Sequence, residues 1–190
     1  VVVPMLYLLT DAFAKKLCAF AQNGGTVIVT YWSGVVDESD LCRLGDTPYG
    51  LTELLGLRRT EIDGMYDGET RRCIPAVGCT LPAAQASTLC EVAALDEENP
   101  AEPLSLYDED YFAGHPAVAV HRYGKGRAYY LASRFDEAFY RAFYHDAAME
   151  IGLIPAWPEA LPEGVLAVRR GSFVFVQNCT EQPVTVGNTV

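Results

Sequence analysis

Apolar positions change period along this chain, and the changes mark its first elements. Residues 1–3 are a β-branched run closed by Pro4, which reads as the tail of a buried parallel strand. Thr10 or Asp11 is placed to cap a helix whose apolar residues Phe13, Leu17, Phe20 and Ala21 share one face. Gly24 supplies the left-handed residue beyond its end. Residues 26–31, TVIVTY, then form an unbroken buried strand. Strand, helix, Gly-Gly and strand make a right-handed βαβ unit with parallel strands, so the chain is read as α/β.

Further along, residues 50–57 predict one helical turn that directs Leu51, Leu54 and Leu55 inward and stops at Gly56. Asp63-Gly64 and Asp67-Gly68 mark turns, and the weak pattern from there to Leu89 predicts short strands and irregular surface. Residues 117–122 and 128–132 are strand-like runs joined by Tyr123-Gly124-Lys125-Gly126-Arg127, a β-hairpin. A helix is predicted from residues 133–136 to Ile151, with Phe139, Phe143, Ala147 and Ile151 on one face and Gly152 at its end. Pro155, Pro158 and Pro162 make a stiff linker. Residues 165–168, 173–176 and 184–186 alternate like an antiparallel meander too short to hold its own core. The expected sheet is mainly parallel, with 26–31 central and the hairpin as its antiparallel element.

Candidate chemistry begins at the end of the 26–31 strand, because ligands of open α/β sheets sit beyond strand carboxyl ends. A nucleophile elbow there needs Gly two residues before and after its Ser, and Ser33 has Tyr31 and Val35 instead. Gly124-Lys125-Gly126 opens a strand rather than a helix, so it is a hairpin loop and no phosphate cradle. The runs Asp96-Glu97-Glu98 and Asp108-Glu109-Asp110 read as solvated loops, the second flanked by Tyr107, Tyr111 and Phe112. General acid–base work by a carboxyl pair needs one of the two desolvated, and these loops provide no desolvation. His115, His121 and His145 pair with no Cys or Ser in a recognised spacing and read as structural.

Charge and cysteine usage narrow the partners. The chain of 190 residues carries 25 acidic and 14 basic residues, a formal charge of −11, which argues against nucleic acid and anionic membranes. The basic pairs Lys15-Lys16, Arg58-Arg59, Arg71-Arg72 and Arg169-Arg170 are scattered and read as solvated faces and strand edges. Cys18, Cys42, Cys73, Cys79, Cys90 and Cys179 contain no CxxC pair, so they read as free thiols of a reducing compartment, with no metal and no cofactor implied. No apolar run reaches membrane-spanning length. The chain opens on Val1-Val2-Val3 without an initiator Met and reads as a piece of something longer.

Taken in order, VVVPMLYLLT, GGTVIVTYWSGVVDESD, LTELLGLR, FAGHPAVAVHRYGKGRAYYLASRFD and LPEGVLAVRR resemble family 42 of the glycoside hydrolases, the bacterial β-galactosidases. The resemblance covers essentially the whole chain. It implies residues 1–156 as a middle, trimerisation domain and 157–190 as the truncated beginning of a small antiparallel C-terminal domain. It also implies a three-layer α/β/α fold similar to class I glutamine amidotransferases (flavodoxin-like), with Tyr31, Trp32 and Ser33 where those enzymes carry a Cys nucleophile. His115 stands where the family usually has Arg. The family's two catalytic Glu lie in an N-terminal barrel, one of them after an Asn. Here Asn23, Asn99, Asn178 and Asn188 precede Gly, Pro, Cys and Thr, so no catalytic residue carries over.

Three functions remain open on the sequence. One is a non-catalytic assembly region of a cytoplasmic β-galactosidase, a homotrimer in the parent, with the loop 32–40 as subunit contact through Trp32, Val35 and Val36. The second is a stand-alone hydrolase of the amidotransferase-like class. The third is a carbohydrate-binding module using Trp32, Tyr107, Tyr111 and Trp157 as stacking platforms. For the loop 32–40, folding of Val35 and Val36 back over their own sheet is the competing arrangement.

Overall fold

The computed structural model describes residues 1–45 and 47–187. Its elements are β1 (Val2–Val3), α1 (Asp11–Gln22), β2 (Thr26–Thr30), α2 (Thr52–Leu55), β3 (Leu57–Gly64), β4 (Arg71–Pro75) and β5 (Ala84–Leu95). They continue with β6 (Glu102–Tyr107), β7 (Pro116–Tyr123), β8 (Gly126–Leu131), β9 (Ser133–Phe135), α3 (Glu137–Glu150), β10 (Val165–Arg170) and β11 (Phe173–Asn178). The chain divides into two compact units, the first Val1–His145 and the second beginning at Asp146.

The first unit is built on a mixed sheet of nine strands in the order β1-β2-β8-β7-β6-β4-β5-β3, with β9 alongside β5. The βαβ start is present: β2 runs parallel to β1, Val2 opposite Ile28, and parallel to β8, Ile28 opposite Tyr129. The expectation of a mainly parallel sheet is corrected beyond this corner. Among the described residues, β7–β8, β6–β7, β4–β6, β4–β5, β3–β5 and β5–β9 are all antiparallel. Nor is β2 central, since only the two-residue β1 lies outside it.

The difference lies around the stretch from the Asp63-Gly64 and Asp67-Gly68 turns to Leu89, predicted to hold short strands and irregular surface. Instead β3 and β5 form a long antiparallel pair, and β5 runs for 12 residues. Its sequence AQASTLCEVAAL is rich in Ala, Ser and Cys, whose small side chains blur the period-2 contrast that marks a strand. The strand is buried on both faces from Leu89 to Ala93, so alternation is absent there for a physical reason.

The hairpin β7–β8 forms as predicted, Tyr123 pairing with Gly126. Gly126 is required at its start: a Cβ would lie 2.1 Å from the Gly25 carbonyl oxygen, where the turn packs against the α1–β2 junction. The helix predicted from residue 133 starts later. Residues 133–135 are β9, and Asp136 accepts a hydrogen bond from the Phe139 N–H at 3.0 Å, capping α3. Phe139 and Phe143 are buried and Phe143 meets Tyr129 edge-on, but Ile151, placed on the same face, is 44% exposed.

Helix α1 is capped as expected by Thr10, whose Oγ1 accepts from the Phe13 N–H. Its buried face is Ala14, Leu17 and Ala21, turned from the predicted one, and Phe13 and Phe20 remain 42% and 44% exposed. Alanines stand where backbone comes close: a Cβ on Gly126 would lie 2.4 Å from the Ala21 carbonyl oxygen and one on Gly50 3.0 Å from the Ala14 Cβ, and the two aromatic rings stay outside.

In the second unit, β10 and β11 pair antiparallel with Val165 opposite Asn178. Residues 184–186 are not a strand, so the predicted third strand of the meander is absent among the described residues. The last three residues of the predicted segment 157–190 lie outside the described residues.

Candidate functional site

The end of β2 leads into a sharp turn whose apex is Trp32, held at φ 60°. A left-handed non-glycine residue costs of order 1–3 kcal/mol and persists only where its surroundings over-determine it. Four hydrogen bonds do so here. The Trp32 N–H donates to Glu91 Oε1 at 3.0 Å, and the Leu6 N–H donates to Ser33 Oγ at 3.0 Å. The Gly34 N–H donates to the Leu6 carbonyl at 2.9 Å, and the Tyr49 N–H donates to the Gly34 carbonyl at 3.1 Å. Gly34 is itself left-handed, and a Cβ there would stand 2.8 Å from the Tyr49 nitrogen.

Below the turn lies a buried ionic cluster. Glu91, on β5, has no solvent exposure, and its Oε1 accepts from Arg59 Nη1 at 2.7 Å while its Oε2 accepts from the Tyr130 hydroxyl. Arg59 Nη1 also reaches the Ser33 carbonyl at 3.4 Å. The Tyr107 hydroxyl donates to the Ala132 carbonyl at 3.2 Å beside it. Burial pushes the Glu91 carboxyl up, opposed by the Arg59 guanidinium and the Tyr130 and Trp32 donors. Burial, with the Glu91 charge, holds Tyr130 well above the ordinary phenol range, so its hydroxyl remains a donor. The expectation of a solvated Arg58-Arg59 pair is thus corrected for Arg59, which is 9% exposed. Glu91 went unrecognised, although a single carboxylate inside the run LCEVAAL is the signal for a buried partner.

Several residues weighed as candidates on the sequence have partners of their own. Ser33 is fully buried and its Oγ is occupied by the Leu6 N–H. His115 Nδ1 lies 3.0 Å from the Ala93 carbonyl and His121 Nδ1 lies 2.9 Å from the Leu54 carbonyl, both tying strands or turns together. Asp108 and Asp110 pair with Arg72 at 2.9 Å and Arg71 at 3.1 Å, and Asp96 accepts from the Glu98 and Asn99 N–H groups. Among the described residues no group of three His, Cys, Asp or Glu is placed to hold a metal ion. No helix among them is long and apolar enough to cross a membrane.

The four aromatic residues considered as stacking platforms divide as well. Tyr107 is buried, and Tyr111 is exposed with its hydroxyl on Glu61 Oε1 at 2.6 Å. Trp157 belongs to the second unit. Trp32 is half-buried and stacks on the exposed Tyr7, with ring centroids 6.1 Å apart and planes at 15°. Of the two arrangements open for the loop 32–40, Val36 takes the second: it is fully buried, bridged to Leu8 and Cys42, and folds back on its own domain. Acidic Asp37, Glu38 and Asp40 follow, and Asp37 Oδ1 accepts from the Ser39 and Leu41 N–H groups. These bonds hold the Asp37 carboxyl below its usual range.

A surface cleft of about 550 Å³ opens between α1 and the turn before α2, lined by Asp11, Lys15, Cys18, Tyr49, Glu53 and Tyr123. Arg43 borders it, 3.0 Å from Asp11 and 4.0 Å above the Tyr49 ring. Burial, then the Glu53 charge, pushes the Cys18 thiol up.

A mixed nine-stranded α/β unit with a rigid, apolar turn over a buried ion pair defines a structural domain, and likeness to known proteins gives its family. The profile of the β-galactosidase trimerisation domain matches residues 1–154, and this chain belongs to that family. It is 44% identical over 189 residues to the β-galactosidase BglY of Alicyclobacillus acidocaldarius, covering 96% of this chain and 27% of that protein. The structure of a β-galactosidase from Rahnella sp. R3 is similar at TM-score 0.87 and 41% identity, over 94% of this chain and 27% of that one. That of a catalytic mutant of Gan42B, a GH42 β-galactosidase from G. stearothermophilus, gives 0.84 and 31%, over 95% of this chain and 26% of that one. The chain therefore spans about a quarter of the length of the relatives it matches.

Proposed function

We propose that this chain is the assembly scaffold of a bacterial, cytoplasmic β-galactosidase, inactive alone, whose whole protein removes terminal β-D-galactosyl units and works as a homotrimer. The match of residues 1–154 to the trimerisation domain carries the reading. In this view residues 1–156 form that domain and 157–190 begin a C-terminal β-domain. Galactoside binding belongs to the part of the whole protein outside this chain, and no cofactor, metal or nucleic acid takes part.

The β1-α1-β2-β8 corner is read as an amidotransferase-like core whose strand end carries Tyr31, Trp32 and Ser33 in place of a Cys nucleophile. Its parallel pairing and the left-handed turn at Trp32 support this. The purified chain is expected to leave a chromogenic β-galactoside unhydrolysed while the whole protein turns it over. Turnover by the chain that disappears on mutating one of its own acidic residues would contradict the assignment. Light scattering coupled to size exclusion on the whole protein tests the trimer.

A further inference from the structure

We propose that the Tyr7–Trp32 pair anchors a heterologous contact between copies of this chain, seating on the outer stripe of α1 in the next copy. The proposal rests on the scaffold reading and names the surfaces through which it acts. An interface anchor is an aromatic residue presented rigidly, without ordering left to do on binding. Trp32 is half-buried and held in this way: its backbone is clamped by Glu91 from below, and its ring lies on the exposed Tyr7. The neighbouring turn is fixed in the same way, since Met5 is left-handed at φ 45° and its N–H donates to Thr30 Oγ1 at 2.8 Å. Around the pair, Met5, Leu8 and Leu41 are 50%, 43% and 67% exposed. Asp37, Glu38 and Asp40 follow Trp32 in the same loop, Glu38 3.7 Å from Arg43, and give the patch an acidic border. An apolar centre inside a charged rim is interface anatomy.

Charge selects the occupant. In a chain of net charge −11, two copies of this patch face to face would oppose their acidic rims. Three-fold closure excludes that arrangement in any case, because it joins one patch to a different one. The complementary surface is on α1, where Phe13, Lys16 and Phe20 fall at i, i+3 and i+7, all exposed, two rings around a cation. The hydrophobic pattern assigned those rings to the core; the fold leaves them outside, beside Lys16.

The test uses the whole protein, with the assembly midpoint read by light scattering over a dilution series and folding checked by circular dichroism. Trp32→Ala and Lys16→Glu are each expected to raise the midpoint concentration about tenfold or more, as loss of an anchor does. Combining Lys16→Glu with Glu38→Lys is expected to recover part of that loss. If Trp32→Ala fails to fold, Leu41→Asp carries the test, since that side chain is largely exposed. A trimeric wild type whose folded variants keep the same midpoint overturns this contact and leaves the scaffold reading intact. A wild type that is monomeric throughout removes both. Galactose quenching Trp32 fluorescence without any change in assembly would make the pair a sugar shelf and also overturn the contact.

Discussion

Glu91 Oε1 accepts a hydrogen bond from the Trp32 N–H at 3.0 Å, joining the middle of β5 to the turn after β2. The same oxygen takes Arg59 Nη1 at 2.7 Å, so one buried carboxylate balances a buried cation and holds a strained backbone. Removing one member of such a pair leaves an uncompensated charge, which typically costs about 3–5 kcal/mol. Arg59→Met is therefore expected to lower unfolding free energy in urea by about that amount, and Arg59→Met with Glu91→Leu by less. A single variant as stable as wild type would show that the pair contributes nothing.

The two buried thiols make a second expectation. Cys73 is pushed up to about 12 and Cys90 to about 11, mainly by burial. Below those values both remain thiols, and the thiolate is the nucleophile. At pH 8 native protein treated with iodoacetamide should be modified at the exposed Cys42 and Cys179 and spared at Cys73 and Cys90. Peptide mass mapping reads the outcome, and rapid native labelling of Cys90 would contradict the packing around β5.

Tyr111 carries a pH signature. Its hydroxyl donates to Glu61 Oε1, and that bond with the carboxylate charge raises the phenol to about 12. Because the folded value lies above the ordinary 10, the bond's contribution is complete below pH 10 and is lost as pH climbs towards 12. Ultraviolet titration of wild type against Glu61→Gln should move one phenol downward. Superimposable curves would remove Glu61 as the cause.

Asp136 closes two structures at once. Its carboxylate accepts from the Phe139 N–H at 3.0 Å and from the Gln85 N–H at 2.8 Å, capping α3 and pinning the start of β5. Loss of a cap typically costs about 0.5–2 kcal/mol, and the second bond places Asp136→Ala at the upper end. Thermal melts in which Asp136→Asn and Asp136→Ala are equally unaffected would count against the capping role.

Much of the fold was legible where contacts are local. The β1-α1-β2 unit, the β7–β8 hairpin, the α2 turn and the Phe139–Phe143 face of α3 follow from period, capping and glycine placement within a few residues of each other. The antiparallel expanse was not legible. Strand β5 is built from small residues and is buried on both sides, so its period carries no direction or partner. Helix α1 shows the same limit: Phe13 and Ala14 both fit an amphipathic stripe, and only the turn at Gly50, where a Cβ would lie 3.0 Å from that of Ala14, selected Ala14 for the inside. The candidate site divides along this line. The sequence alone determined that the turn after β2 holds Tyr31, Trp32 and Ser33 without the glycines of a nucleophile elbow. Tertiary structure decided that Glu91, Arg59 and Tyr130 meet beneath that turn, since a charge buried by strands distant in sequence is paired by topology and leaves no local period to read.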